Sequence, residues 1–237
     1  MDELIKQQPD VMINLSASPF DYTHAEDRKA IIKSNVQKYK LPMFYCNCVG
    51  SQTEIVFDGR SFVFDKEGNV IGQLPLFAEA LQGFEMDDDG NIDEPMLVAA
   101  KFIANEEYIP LQLEENLNIG EVYDAIVMSI KDYFKKMGFT KAIIGSSGGI
   151  DSAVTLAMAC DALGKENVRA ILMPSYFSTE HSVNDAEQLS INLGNKYDII
   201  PIKNIYDSFL HELKPIFNDL PLILRKKIFK AGRGEIY

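Results

Sequence analysis

The sequence predicts an α/β chain in two parts, and three observations lead there. From about residue 118 onward, helix-like and strand-like segments alternate with short connections, which is the rhythm of a parallel sheet covered by helices on both faces. Before residue 97, apolar runs are separated by glycine-containing turn signals, the pattern of hairpins. Between the two parts, "EMDDDGNIDE" (85–94) holds six acids and a glycine. It reads as a solvated loop and a natural boundary, dividing the chain into 1–97 and 98–237.

The elements follow in order. "DVMINLSAS" (10–18) predicts a buried strand, and "HAEDRKAIIKSNVQKYK" (24–40) an exposed amphipathic helix, its apolar positions at helical spacing among charges. "LPMFYCNCVG" (41–50) predicts a second apolar strand. In 54–74, Asp58-Gly59 and Glu67-Gly68-Asn69 separate β-prone runs and predict adjacent hairpins. A helix is expected over 118–137, stopping before Gly138. Strand 141–144 then leads to helix 151–163, with Gly164 as its stop. Strand 167–175, helix 182–194 and strand 197–202 follow, then a helix over 205–217. Ser182 and Asp185 sit at capping-box spacing, and Gly194 closes that helix.

Composition excludes several functions. The 237 residues carry a formal net charge of −12, with a pI near 4.7. Residues 1–97 account for −9 and residues 98–237 for −3. A nucleic-acid or membrane-surface partner would want a basic face. No apolar run reaches membrane-spanning length, and no basic stretch followed by an apolar block marks a secretion signal. A cytoplasmic protein is expected. Cys46, Cys48 and Cys160 are an odd count with no disulfide framework. Cys46-x-Cys48 has no second pair, so it reads as ordinary strand rather than half a metal site.

The richest stretch is "KAIIGSSGGIDSAVTLAMACDALG", from Lys141. Small residues Gly145, Ser146, Ser147, Gly148 and Gly149 lie between a predicted strand and a predicted helix. Glycines let backbone approach a ligand closely. A helix N-terminus adds unpaired N–H groups and positive potential, so the combination suits phosphate. Ser146, Ser147 and Ser152 offer hydroxyls. Asp151 belongs in an anion site when a cation such as Mg²⁺ bridges carboxylate and phosphate. Read from the residues alone, a plain helix cap following a flexible turn remains the other reading. No lysine follows Gly149, so this is not the Walker pattern.

The hexapeptide Ser147-Gly-Gly-Ile-Asp-Ser152 resembles the pyrophosphate-binding loop of the ATP pyrophosphatases. With Met173-Pro174-Ser175, then Ser178-Thr179-Glu180-His181-Ser182 and the Asp185-Ala186 helix, the chain over about 117–221 is similar to the synthetase domain of glutamine-dependent NAD synthetases. The resemblance implies ATP contacts at Gly145, Ser146, Ser147, Gly148, Gly149, Ile150, Asp151 and Ser152. It also implies Mg²⁺ at Asp151 and adenine near Leu172 and Met173. "NLSASPF" (14–20), Arg28 and "VGSQTEIVFDGRSFVFDKEGNVI" (49–71) resemble the later part of a nitrilase-type glutaminase domain, which implies glutamine contacts at Ser18 and His24. The family commonly has a lysine where His24 stands.

The fold implied is the C-terminal part of a nitrilase-like α-β-β-α domain, followed by the first part of a Rossmann-like, parallel-sheet ATP-pyrophosphatase domain. The family amidates deamido-NAD to NAD, using ATP and glutamine-derived ammonia, and assembles as homo-oligomers. The nitrilase nucleophile, a cysteine, lies upstream of the strand matching "VMINLSAS", and Cys46, Cys48 and Cys160 do not occupy that place. The chain is therefore expected to be an internal fragment without glutaminase machinery and inactive alone. The alternatives are another ATP-pyrophosphatase amidotransferase or thiolase, or a non-catalytic nucleotide-binding remnant.

The likeness stops at Pro221. Residues 222–237 carry five basic residues and one acid. Back-translated with one choice of codons and read two bases later, they give a Glu-Glu-Asn-Ile-Gln segment that fits the family's continuation. The tail is expected to be out of frame; a divergent basic helix end is the other reading.

Overall fold

The computed structural model describes residues 2–21, 25–92, 96–100, 112–114 and 117–217. By contact they form two units. The first is Met1–Lys141 with Asp161–Leu163; the second is Ala142–Cys160 with Gly164–Tyr237. The tail 222–237 and His24 lie outside the described residues.

In the first unit, α1 (Asp2–Ile5) leads to β1 (Met12–Ser16), α2 (Ala25–Tyr39) and β2 (Met43–Asn47). β1 and β2 are parallel, with Met12 opposite Met43 and Ser16 opposite Asn47. Parallel neighbours need a crossover, and α2 supplies it. β3 (Val49–Gln52) and β4 (Ile55–Asp58) pair only with each other. β5 (Phe62–Phe64) and β6 (Val70–Gln73) complete a sheet ordered β1-β2-β5-β6. β7 (Ala80–Gly83) pairs with β8 (Met96–Ala100), and β9 (Gln112–Glu114) with β10 (Leu117–Asn118); α3 (Ile119–Met137) follows.

The core lies on one face of the four-stranded sheet. Met12, Met43, Tyr45, Phe62 and Phe64 pack with Ile32 and Val36 of α2. Ile32 and Val36 are one turn apart, so they share a helix face. Burying each such side chain is worth roughly 1.5–3 kcal/mol, and this seam holds an otherwise polar helix. β1 is not the buried strand expected over 10–18: Met12 is buried, but Ile13, Asn14 and Leu15 are exposed.

Helix α3 is tied to the β3–β4 hairpin by Asp132. Its carboxylate accepts from the Ser51 amide at 2.7 Å and lies 2.8 Å from the Lys136 ammonium. Burial pushes the Asp132 carboxyl up, but the Lys136 and Ser51 hydrogen bonds outweigh it and hold the group below its ordinary value of about 3.8. A carboxyl depressed by folding contributes stability that is fully present above the unfolded pKa. That contribution is lost as pH falls through the folded value. Asp132→Asn should therefore flatten the acid limb of stability between about pH 5 and about pH 2, read from urea midpoints across that range. An acid limb as steep as the wild type's would show that Asp132 does not carry it.

In the second unit, β11 (Ala142–Gly145), β12 (Val168–Leu172) and β13 (Lys196–Ile199) form a parallel sheet in that order. α4 (Ile150–Leu163) and a 3-10 turn (Lys165–Asn167) connect the first pair; α5 (Glu180–Leu193) connects the second, and α6 (Lys203–Phe217) follows β13. Val168, Ala170 and Leu172 point inward and are buried, as are Leu156 and Ala159 of α4 and Ala186 of α5. Gly164 (φ 85°) and Gly194 (φ 74°) end their helices in the left-handed half of φ space, the expected stops.

The α/β alternation and the parallel sheet are as predicted, but several local expectations need correction. Segment 41–50 is not one strand: it splits at Cys48, whose amide donates to the Ser16 carbonyl, and β3 joins a different sheet. Asp58-Gly59 does not turn a hairpin. β3 and β4 are joined through Thr53-Glu54, with Thr53 at φ 52°, because the Asp58 carboxylate is buried and engaged elsewhere. Glu67-Gly68-Asn69 does turn one, between β5 and β6.

Within the acidic stretch, residues 85–92 are a hairpin tip, bridged Met86 to Ile92. Its Asp87-to-Asn91 turn repeats the bonding of Asp65-to-Asn69, an Asp-x-x-Gly-Asn pattern in both. β8 runs across residue 97. Coverage of the parallel sheet is incomplete at its edge strand β11, where Ile143 is 73% exposed. Among the described residues, no helix is long and apolar enough to cross a membrane.

Candidate functional site

The Gly-rich loop sits at the carboxyl end of β11 and opens α4. The Ser146 amide donates to the Ile171 carbonyl at 3.0 Å, extending the ladder one rung past the strand. That rung buries Ser146, whose Oγ has no hydrogen-bond partner among the described residues. Beyond it, the Ser147 amide donates to Ser152 Oγ at 3.2 Å, Ser152 Oγ donates to the Gly149 carbonyl at 2.9 Å, and the Gly149 amide donates to Ser147 Oγ at 3.3 Å. The two hydroxyl oxygens are 3.1 Å apart. Gly149 opens α4 with no side-chain cap, so the positive end of a 14-residue helix is left to a ligand or water. Ile150 and Asp151 are exposed on its first turn.

Gly148 fixes the loop's shape. Its φ is +81°, and a Cβ there would lie 2.0 Å from the Ser182 carbonyl oxygen. Any side chain is therefore excluded by both backbone conformation and space. Gly145 is less demanding, with Met173 Cε 3.5 Å from its notional Cβ. Met173 is 49% exposed beside the loop, whereas the Leu172 side chain is buried and its carbonyl accepts from the Ile200 amide. At this strand end the accessible side chain is thus that of Met173. The cap of α5 also differs from expectation. Thr179, not Ser182, opens the helix, and its side chain accepts from the Ser182 amide. Ser182-x-x-Asp185 has the commoner acidic box; Thr179-x-x-Ser182 has the same spacing without an acid, which is why the sequence pointed one turn late.

In the first unit, Ser18, the expected glutamine contact, is held by Asn47. The Ser18 amide donates to Asn47 Oδ1 at 2.8 Å, and Asn47 Nδ2 donates to the Ser18 carbonyl at 3.2 Å. Asn47 Nδ2 also lies 3.1 Å from Asp58 Oδ1. Asp58 is fully buried and accepts a two-pronged pair from Arg28 at 3.0 and 2.7 Å, geometry suited to guanidinium and carboxylate. Arg60 Nε is 3.7 Å from Asp58, and its Nη2 donates to Glu121 at 2.6 Å. Burial pulls the Arg28 guanidinium down, but the Asp58 bonds hold it above its ordinary value. Asp58 and Asn47 were missed from sequence. An Asp-Gly pair is the commonest look of a turn, and only Arg28, on the neighbouring helix, hinted at an acid to meet it.

Residues 122–223 match the NAD synthase family. The chain is 37% identical over 236 residues to the glutamine-dependent NAD(+) synthetase of Synechocystis sp., covering 99% of this chain and 40% of that protein. It is 35% identical over 225 residues to that of Thermotoga maritima, covering 87% and 39%. The solved glutamine-dependent NAD+ synthetase of Acinetobacter baumannii, in complex with ADP, superposes with a TM-score of 0.79 at 34% identity, over 93% of this chain and 39% of that one. The chain spans about two fifths of the length of the curated relatives it matches.

The NAD synthase region passes a direct test of fit for a phosphate group. It carries, at Ser146, a buried hydroxyl without a hydrogen-bond partner among the described residues, and an uncapped helix start at Gly149. For Mg²⁺ the loop offers the exposed carboxylate of Asp151. That suits an ion whose remaining ligands are phosphate oxygens and water. Among the described residues, no group of three or more His, Cys, Asp or Glu side chains could hold a metal alone.

Proposed function

We propose that this chain is part of a glutamine-dependent NAD synthetase and that its second unit binds Mg·ATP. One observation carries the reading: the Ser147–Ser152 loop, set at a helix N-terminus inside the region that matches NAD synthase. In the complete reaction, a carboxylate oxygen of deamido-NAD bonds to the α-phosphorus of ATP and pyrophosphate departs. Ammonia from glutamine then bonds to the activated carbonyl carbon, loses a proton, and AMP leaves with the C–O electron pair.

The loop's part is to receive the charge that builds on the departing pyrophosphate. The Ser146 hydroxyl and the amides of the loop and first turn of α4 that are not spent on the loop's own bonds would donate to it from a backbone already in place, which is how preorganised donors favour a transition state. Asp151 would hold Mg²⁺, which would neutralise phosphate charge. Met173 and the strand end at Leu172 would border the adenine. Ser18, with its backbone fixed by Asn47, and His24 would meet glutamine in a nitrilase-like first domain spanning 1–97, with the synthetase domain over 98–237. A homo-oligomer in the cytoplasm accords with the family likeness and the acidic charge.

Titration calorimetry tests the nucleotide reading. Wild-type chain should bind ATP about tenfold more tightly with Mg²⁺ than without, and Asp151→Ala should bind equally in both. Equal wild-type affinity with and without Mg²⁺ would remove Asp151 from the site.

A further inference from the structure

We propose that Thr179 is a positioning residue for the phosphate loop, acting through the Ser182 carbonyl that packs on Gly148. The function this serves rests on the nucleotide reading above; the geometry does not. The connection from β12 to α5, "SYFSTEHS" (175–182), is fastened by two hydroxyl pairs three residues apart. Ser178 Oγ accepts from the Ser175 amide at 3.0 Å, and Ser175 Oγ accepts from the Phe177 amide at 3.2 Å. Thr179 Oγ1 accepts from the Ser182 amide at 3.2 Å and lies 3.1 Å from Ser182 Oγ, which donates to the Thr179 carbonyl at 2.9 Å. Both faces of the first turn of α5 are therefore closed between the same two residues.

That turn is one wall of the loop. The notional Gly148 Cβ meets three Ser182 backbone atoms within 2.8 Å. The contact is backbone on backbone, so rotating a side chain cannot relieve it. The distance between the two segments is set by where α5 begins, and α5 begins where Thr179 caps it. The cap thus does two things at once: it satisfies an orphan amide of α5 and it fixes the surface against which Gly148 rests. The Gly148 and Gly149 amides inherit their placement from it.

Three variants of the full chain test this: Thr179→Val, Thr179→Ser and Gly148→Ala. Losing the cap lets the Ser182 carbonyl recede, so Thr179→Val should relieve part of the crowding that Gly148→Ala creates. In urea unfolding, the double variant should be less destabilised than the product of the single effects, by about fivefold in the folding equilibrium constant. Independent, multiplicative effects would overturn the proposal, because a cap that served α5 alone would not couple to Gly148. Thr179→Ser keeps the acceptor and should behave as wild type. If Gly148→Ala does not fold, the amide chemical shifts of Gly148 and Gly149 read the same question. They should move in Thr179→Val and not in Thr179→Ser; shifts unmoved in Thr179→Val overturn it.

Mg·ATP titration then separates the two claims. Thr179→Val should bind about fivefold more weakly than wild type, with Thr179→Ser unchanged. Coupling without any wild-type binding of Mg·ATP would leave the positioning intact and refute the nucleotide reading.

Discussion

Asp58→Ala should destabilise the first unit by about 3–5 kcal/mol, the cost of removing one partner from a buried ion pair. Asp58 is fully buried, and the Arg28 side chain it meets is only 10% exposed. Without the carboxylate, the Arg28 guanidinium keeps its charge and loses both of its short bonds, and Asn47 loses an acceptor. Arg60 keeps Glu121 but loses its second acid. The damage therefore exceeds the worth of any one contact. Urea denaturation followed by far-UV circular dichroism reads the loss. Pairing the change with Arg28→Met should recover much of it, since the uncompensated charge then goes too. A single-variant loss below about 1 kcal/mol would place Asp58 among surface ion pairs and contradict its burial.

Gly148→Ala should be the most damaging change in the second unit, for two reasons that add. A left-handed φ of +81° costs an alanine about 1–2 kcal/mol. The new methyl carbon also meets the Ser182 carbonyl at 2.0 Å, and forcing backbone apart in a packed site costs about 1–3 kcal/mol more. The neighbouring Gly149 makes the contrast. Its φ is −88°, and only Ser147 Oγ lies near its notional Cβ, at 3.5 Å. Gly149→Ala should therefore leave the melting temperature close to wild type, while Gly148→Ala lowers it and weakens Mg·ATP binding at least about tenfold. Equal melting temperatures for the two variants would refute the wedge between the loop and α5.

Where signals were local, the sequence was legible. Helical spacing in α2 and α3, the glycine stops at Gly164 and Gly194, and the strand–loop–helix at Gly145–Ser152 all report interactions within a few residues. The interactions that escaped are those between distant parts of the chain. Asp58 reads as a turn until Arg28, thirty positions away, is placed against it. Cys48 reads as mid-strand until the Ser16 carbonyl claims its amide. Thr179 reads as loop because the box one turn later has the acid that capping statistics favour. For the Gly145–Ser152 loop, pattern supplied the resemblance, but only packing shows which of its glycines tolerates no side chain.

Helix α3 raises a practical point for anyone who would take this chain apart. Its sequence from residue 122 lies in the region that matches NAD synthase, yet two of its acids, Asp132 and Glu121, are committed to the upstream part, while Tyr123 reaches Asp161 of α4. Asp132 occupies the Ser51 amide, and Glu121 holds the Arg60 guanidinium. Scissors guided by kinship would cut before the helix. They would leave the first piece with a bared hairpin amide and a half-sheltered cation, and would cast the helix off with an apolar face and no seat. Scissors guided by mechanics would cut after Lys141 instead. Ancestry and anchorage assign most of this helix to different owners.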